Sequence, residues 1–174
     1  PAPEPSTPMP AFDTLLVANR GEIACRVIRS ARAMGLRTVA VYSEADLGAR
    51  HVALADVAVP IGPAPARDSY LHIDRILDAC RQSGAQAIHP GYGFLSESAA
   101  FSRACRQAGL SFVGPSPEAI EALGNKSAAK TLAQRIGVPC LPGYAGADQS
   151  DDTLIKHAAR IGAPLMIKAA HGGG

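Results

Sequence analysis

From Thr14 onward, short apolar runs alternate with amphipathic stretches. Runs at residues 15–18, 37–42, 57–61, 85–89 and 110–113 are each short enough to be a strand buried on both faces. Between them, apolar residues recur at i, i+3, i+4 and i+7 over residues 22–34, 70–82, 98–107 and 117–123, which predicts helices. Gly35, Gly84, Gly109 and Gly124 each fall just past one of these patterns, where a left-handed residue is wanted to end a helix. Strand–helix alternation of this kind implies an α/β fold, a parallel sheet wrapped by helices. Ligands of such open sheets bind outside the carboxyl ends of the strands, so the loops at residues 19–22 and 90–97 are the ones to suspect.

The flanks behave differently. Five of the first ten residues are proline, which removes amide donors and offers little to bury, so residues 1–12 read as a disordered tail. After residue 123 comes another amphipathic helix over 126–136, with Ala129, Leu132, Ala133 and Ile136 on one face. Pro139, Pro142, Gly143 and Gly146 break regular structure through a linker at 138–152; a helix at 152–161 and a strand at 164–169 follow. That strand runs straight into His171-Gly172-Gly173-Gly174, and a glycine run after a strand must lead to something, so the sequence reads as cut inside a loop. No internal repeat is evident.

Composition narrows the function classes. Seventeen Lys and Arg against fifteen Asp and Glu give a formal charge of +2, too small for the footprint of a nucleic-acid binder. Hydrophobic residues are 47% and charged residues 18%, the balance of a folded chain; 17 glycines and 14 prolines add many turns. No apolar stretch reaches the ~18 residues of a membrane span and the start lacks the order of a signal peptide, so the expectation is a cytoplasmic protein without membrane contact. Cys25, Cys80, Cys105 and Cys140 are widely separated and show no metal-ligand spacing. Neither metal ligation nor redox chemistry is expected of them, and those on apolar stripes read as buried structural thiols.

Four stretches carry candidate chemistry. In Val17-Ala18-Asn19-Arg20-Gly21-Glu22-Ile23 only Gly21 matches the glycine spacing of a dinucleotide turn, which disfavours NAD; what is left is a plain strand-to-helix turn or an anion site beside Arg20. His89-Pro90-Gly91-Tyr92-Gly93-Phe94-Leu95-Ser96-Glu97 is a shaped loop. In it Tyr92 and Phe94 are expected to anchor to the core, Ser96 to cap the next helix with Glu97 in its first turn, and His89 to be a hydrogen-bonded packing residue rather than a base. Lys168 ends an apolar strand just before Gly172, Gly173 and Gly174, whose bare backbone lets amides approach phosphate oxygens. The Walker order is absent, so a nucleotide cradle other than a P-loop is implied. Lys126 opens a helix after Gly124-Asn125, where it opposes the dipole unless an anion offsets it; alone it would be a solvated surface charge.

Taken together, Leu15-Leu-Val-Ala-Asn-Arg-Gly-Glu-Ile-Ala-Cys-Arg26, Ile61-Gly-Pro-Ala-Pro65, Ser69-Tyr-Leu71, Ala87-Ile-His-Pro-Gly-Tyr-Gly-Phe-Leu-Ser-Glu97, Phe112-Val-Gly-Pro115, Gly124-Asn-Lys126, Gly137-Val-Pro139 and Ile167-Lys-Ala169 resemble the biotin carboxylase component of biotin-dependent carboxylases. The resemblance covers residues 12–174 and is nearest to the α subunits of acyl-CoA carboxylases. It implies a Rossmann-like N-terminal domain over 13–124, a linker helix and loop over 125–149, and the start of an ATP-grasp subdomain over 150–174. It also implies a ligase that uses Mg-ATP and bicarbonate to form carboxyphosphate and carboxylates biotin held on a carrier domain. A carboxyltransferase subunit would act next, and two copies would pair through the helix at 22–34. By motif match, Lys126 and Lys168 contact ATP, and Gly172, Gly173 and Gly174 open the phosphate loop. The family's metal-binding glutamates, bicarbonate-holding residues and catalytic carboxylate lie beyond Gly174, so no catalytic or metal residue is assigned within the chain, and the chain alone is expected to be inactive. Asn125 stands where many members carry an acidic residue. The competing readings are a noncatalytic Rossmann-like module and a different ATP-grasp ligase; the acyl-CoA, urea or pyruvate that finally accepts the carboxyl group is not encoded in these residues.

Overall fold

The computed structural model describes residues 12–168. The proline-rich start and Gly172–Gly174, to which the tail and phosphate-loop expectations apply, lie outside them. The chain divides into two compact units, one running through Pro117 and one from Glu118.

The first unit is a five-stranded sheet built from β1 (Thr14–Val17), β2 (Arg37–Tyr42), β3 (Val57–Pro60), β4 (Ala87–His89) and β5 (Ser111–Phe112). Every pairing is parallel and the order is β3-β2-β1-β4-β5. The chain builds outward from β1 to β3, then crosses to the other side of β1 with β4, so the topological switch point lies between β1 and β4. The helices are α1 (Gly21–Ala33), α2 (Arg50–Leu54), α3 (Ile73–Ser83) and α4 (Ala99–Gln107).

The apolar runs are buried on both faces, as all-parallel strands must be when helices cover each side: Leu16, Val17, Val39, Ala40, Val41 and Ile88 are fully buried. Leu16, Val39, Val41, Ile76, Cys80, Ile88, Phe101 and Cys105 share the main cluster, and Val17, Ala24, Ile28 and Ala40 pack on the opposite side. Cys25, Cys80 and Cys105 are buried, and burial pushes the Cys80 and Cys105 thiols up to about 12, which leaves them protonated packing groups. Cys140 is half-exposed.

Gly35, Gly84 and Gly109 take positive φ past α1, α3 and α4, as their position after the helical patterns requires. Gly124 does not; it is the last residue of α5 (Pro117–Gly124), and Asn125 behind it caps the next helix instead. Three short elements escape hydrophobic periodicity, the 3-10 turns Glu44–Asp46 and Ala66–Asp68 and the five-residue α2, because none is long enough to repeat a stripe.

The second unit continues α5 and adds α6 (Lys126–Arg135) and α7 (Asp151–Ile161). The strand expected at 164–169 is not formed over the described residues 164–168. The apolar run is real, but an extended segment becomes a strand only against a partner, and none pairs with it among the described residues.

Candidate functional site at the carboxyl edge of the sheet

The loops leaving β1 and β4 flank the switch point, the place where an open parallel sheet leaves a crevice. Asn19 joins them. Its Nδ2 donates to the carbonyl of Pro90 at 2.7 Å and of Tyr92 at 2.8 Å, while its Oδ1 accepts from the Arg20 amide at 2.9 Å. All three partners fix which end of the carboxamide is nitrogen, and the side chain is buried. Gly91 sits against it at φ +66°; a Cβ there would stand 2.8 Å from Asn19 Nδ2, so only glycine lets the loop come this close.

The rest of the loop is satisfied from both sides. His89 Nδ1 accepts from the Gly91 amide at 3.0 Å, and burial holds its pKa below the ordinary histidine value; it is a neutral, hydrogen-bonded packing residue. Phe94, at φ +43°, stacks on Tyr70 with ring centroids 5.1 Å apart. Tyr92 does not anchor to the core: its ring is 60% exposed and its hydroxyl donates to Glu22 Oε1 at the start of α1. Ser96 does not cap α4 either. Ser98 does, accepting from the Phe101 amide at 3.2 Å, which leaves Glu97 exposed ahead of the helix. In Ser96-Glu97-Ser98 either serine suits a cap, but the Ser96 amide is tied back to the Gly93 carbonyl and the Ser98 amide to that of Leu95, so the helix opens only after Ser98.

Arg20 is engaged rather than waiting for an anion. Its Nη1 lies 3.3 Å from Asp46 Oδ2, and its guanidinium lies 5.5 Å from the Tyr70 ring centroid and 5.7 Å from that of Phe94. Asp46 Oδ2 also accepts from the Tyr70 hydroxyl at 2.7 Å and from Ser43 Oγ at 2.9 Å. Burial pushes the Asp46 carboxyl up, but these hydrogen bonds and Arg20 together carry it below the usual carboxylate value. Tyr70 is raised by burial and by its bond to Asp46. Ser43 and Asp46 are residues that sequence reasoning passed over. They follow β2 and so also sit at the carboxyl edge; the Ser-x-x-Asp spacing after a strand is the signal that would have found them.

The lysines belong to the second unit. Asn125 Oδ1 accepts from the Ser127 and Ala128 amides at 2.9 and 3.0 Å, so a neutral amide caps α6, and Lys126 is exposed in its first turn. Lys168 is exposed at the end of the unpaired segment. The structure thus gathers Asn19, Glu22 and the 90–94 loop at the switch point of the first unit, while Lys126 and Lys168 lie in the second. Among the described residues no group of three or more His, Cys, Asp and Glu side chains could hold a metal ion.

Comparison with known proteins bears on both units. Residues 11–120 match the family model "Biotin carboxylase, N-terminal domain", and residues 125–174 match "Carbamoyl-phosphate synthase L chain, ATP binding domain". The methylcrotonoyl-CoA carboxylase subunit alpha of Oryza sativa subsp. japonica is 57% identical over 164 residues, covering 94% of this chain and 22% of that protein. A biotin carboxylase of Halalkalibacterium halodurans is 52% identical over 163 residues, again 94% of this chain and 36% of the relative. The biotin carboxylase domain dimer of Hydrogenobacter thermophilus 2-oxoglutarate carboxylase, solved with MgADP, ADP and bicarbonate, superposes with a TM-score of 0.87 at 47% identity, over 94% of this chain and 36% of that one. The chain therefore spans between about a fifth and about a third of the length of these relatives.

Proposed function

The chain belongs to the biotin carboxylase N-terminal domain family, and from that premise we propose that it works as the N-terminal part of an ATP-dependent biotin carboxylase within an acyl-CoA carboxylase. In the proposed reaction the γ-phosphoryl group of Mg-ATP passes to a bicarbonate oxygen, giving ADP and carboxyphosphate; this breaks down to CO2 and phosphate, and N1′ of carrier-bound biotin takes the CO2 and gives up its proton to the released phosphate. A biotin carboxyl carrier domain and a carboxyltransferase subunit are the partners this requires. The observation that carries the reading is the joint match of both units, in order, to a biotin carboxylase N-terminal domain and an ATP-binding domain. A noncatalytic module would have no need of the second. No helix among the described residues is long and apolar enough to cross a membrane, and the relatives include proteins named mitochondrial as well as bacterial ones.

Within this reading Lys126 and Lys168 are the ATP-contacting lysines, with Gly172–Gly174 opening the phosphate loop. Both lysines are exposed, as groups that meet a phosphate chain in a wet site should be. Lys168 would act as a point charge on the phosphates, and magnesium, when bound, would neutralise charge on the phosphoryl groups. We also assign the exposed side of α1, with Arg26 and Arg29, to pairing with a second copy; the dimer named for the Hydrogenobacter relative supports this.

Lys168→Gln in the complete enzyme keeps most of the stem and removes the charge. Loss of one charge-assisted contact of ~1.5 to 3 kcal/mol should weaken ATP roughly 10- to 150-fold, with the melting temperature unchanged. Lys126→Gln should act in the same direction, and the double variant should be non-additive if both hold one phosphate chain. Calorimetric titration with ATP is the measurement; unchanged affinity in Lys168→Gln would remove the lysine from the nucleotide site.

A further inference from the structure

We propose that Asn19 is a positioning residue for the reaction: its carboxamide locks the backbone of Pro90–Tyr92 across the switch point, so that this loop meets substrate in a single conformation. Which reaction is served rests on the biotin carboxylase reading; the lock itself rests on geometry. A buried asparagine spends both donors on two carbonyls of a loop more than seventy residues away in sequence, and a third contact with the Arg20 amide prevents the amide from turning over. Those carbonyls belong to Pro90 and Tyr92, on either side of Gly91, whose positive φ leaves the space that Asn19 occupies. Glu22 then holds the Tyr92 hydroxyl while the ring stays largely in solvent. A loop needed only to cover the core would bury that ring. Here the polar backbone is pinned from below and the outer face is kept open, which is how a binding loop is preorganised.

The lock lies in the first unit and the two lysines assigned to ATP lie in the second. On the biotin carboxylase reading, this loop is assigned to biotin, and loosening it should act on the use of biotin and spare the nucleotide. Asn19→Asp keeps the acceptor for the Arg20 amide and sets an oxygen against the Pro90 and Tyr92 carbonyls. Asn19→Ser, too short to reach either, is the gentler variant should the aspartate prevent folding.

Two measurements decide. Hydrogen exchange in the 174-residue chain should quicken at least about tenfold at the amides of residues 91–94 in either variant, with β2 and β3 unaffected. In the complete enzyme, bicarbonate-dependent ATP hydrolysis should show the KM for free biotin raised about tenfold or more, since either variant gives up both donor contacts, while the KM for ATP stays within about twofold. Unchanged exchange in the loop overturns the lock. Quickened exchange with both KM values unchanged, or with both raised alike, makes Asn19 merely structural and overturns the positioning role. A wild-type enzyme without biotin-stimulated turnover overturns the biotin carboxylase reading and the role of Asn19 in it, a failure the exchange rates distinguish from failure of the lock.

Discussion

Single residues at the carboxyl edge were only partly legible. The loop at 90–97 announced itself through its glycines and aromatics, and the neutral role of His89 followed from its apolar neighbour Ile88. What Arg20 does could not be read, because its partners Asp46, Tyr70 and Phe94 come from three other stretches of chain and only the sheet order brings them together. The same holds for His51, fully buried after the 3-10 turn, with one ring nitrogen 3.2 Å from the Val41 carbonyl and Nδ1 without a partner among the described residues.

This burial has a pH consequence. Burial lowers the His51 pKa from 6.5, against smaller opposing effects of the Val41 carbonyl and Asp46, and lowers that of His89 likewise. The unfolded chain then binds protons that the folded chain refuses, so stability present above pH 6.5 is lost as the pH falls below it. Asp46 and Asp56 act in the same direction further down, since their folded carboxyls lie below 3.8 and their contribution disappears as the pH falls through those values. The melting temperature of the chain should therefore hold above neutrality, fall between pH 7 and 5, and fall again below about pH 4. His51→Gln should flatten the first of these limbs. A profile level from pH 7 to 5 would show that neither imidazole is held neutral by the fold.

Among elements, periodicity found what was long enough to repeat. Strand β2 runs over the predicted residues, and α1 and α4 begin and end within one residue of the predicted spans, because both faces of a two-sided sheet demand uninterrupted apolar runs and stripes. Helix α3 starts at Ile73 rather than residue 70, since Tyr70 is turned to Asp46 and the segment before it is held by a 3-10 turn at Ala66–Asp68. Helix α1 also shows how one element can serve two purposes. Ala24, Cys25, Ile28 and Ala31 are buried on one side, while Arg26 and Arg29 are exposed on the other. If that outer side pairs with a second copy, Arg29→Glu in the complete enzyme reverses a charge at the contact without touching the core. Sedimentation should then shift from dimer toward monomer with no loss of helix content. A dimer that persists unchanged would place the contact elsewhere.

At the scale of the whole molecule the two units differ in what holds them. Apart from Pro117 and Ile120, the buried apolar side chains among the described residues all lie between Leu15 and Cys105, and neither α6 nor α7 has a buried residue. Helices of ten and eleven residues are marginal by themselves, since so few turns barely offset nucleation. Ile136, Ile155, Met166 and Ile167 are exposed, and under the proposed function these faces belong against the remainder of an ATP-binding domain. The sequence disclosed the helical stripes of this second unit but not their exposure, because a stripe states what a helix can bury and not whether anything covers it. The sheet with its four helices should accordingly carry nearly all the stability of the chain. A shortened chain ending at Gly124, which retains Ile120 and α5, should melt within about 3 °C of the 174-residue chain, because the residues removed contribute almost no buried apolar area. In the 174-residue chain, amides of α6 and α7 should exchange orders of magnitude faster than those of β1, β2 and β4, whose opening requires global unfolding. Protection of α6 and α7 equal to that of the sheet, or a shortened chain that melts more than about 10 °C lower, would show that the second unit is part of the same cooperative core.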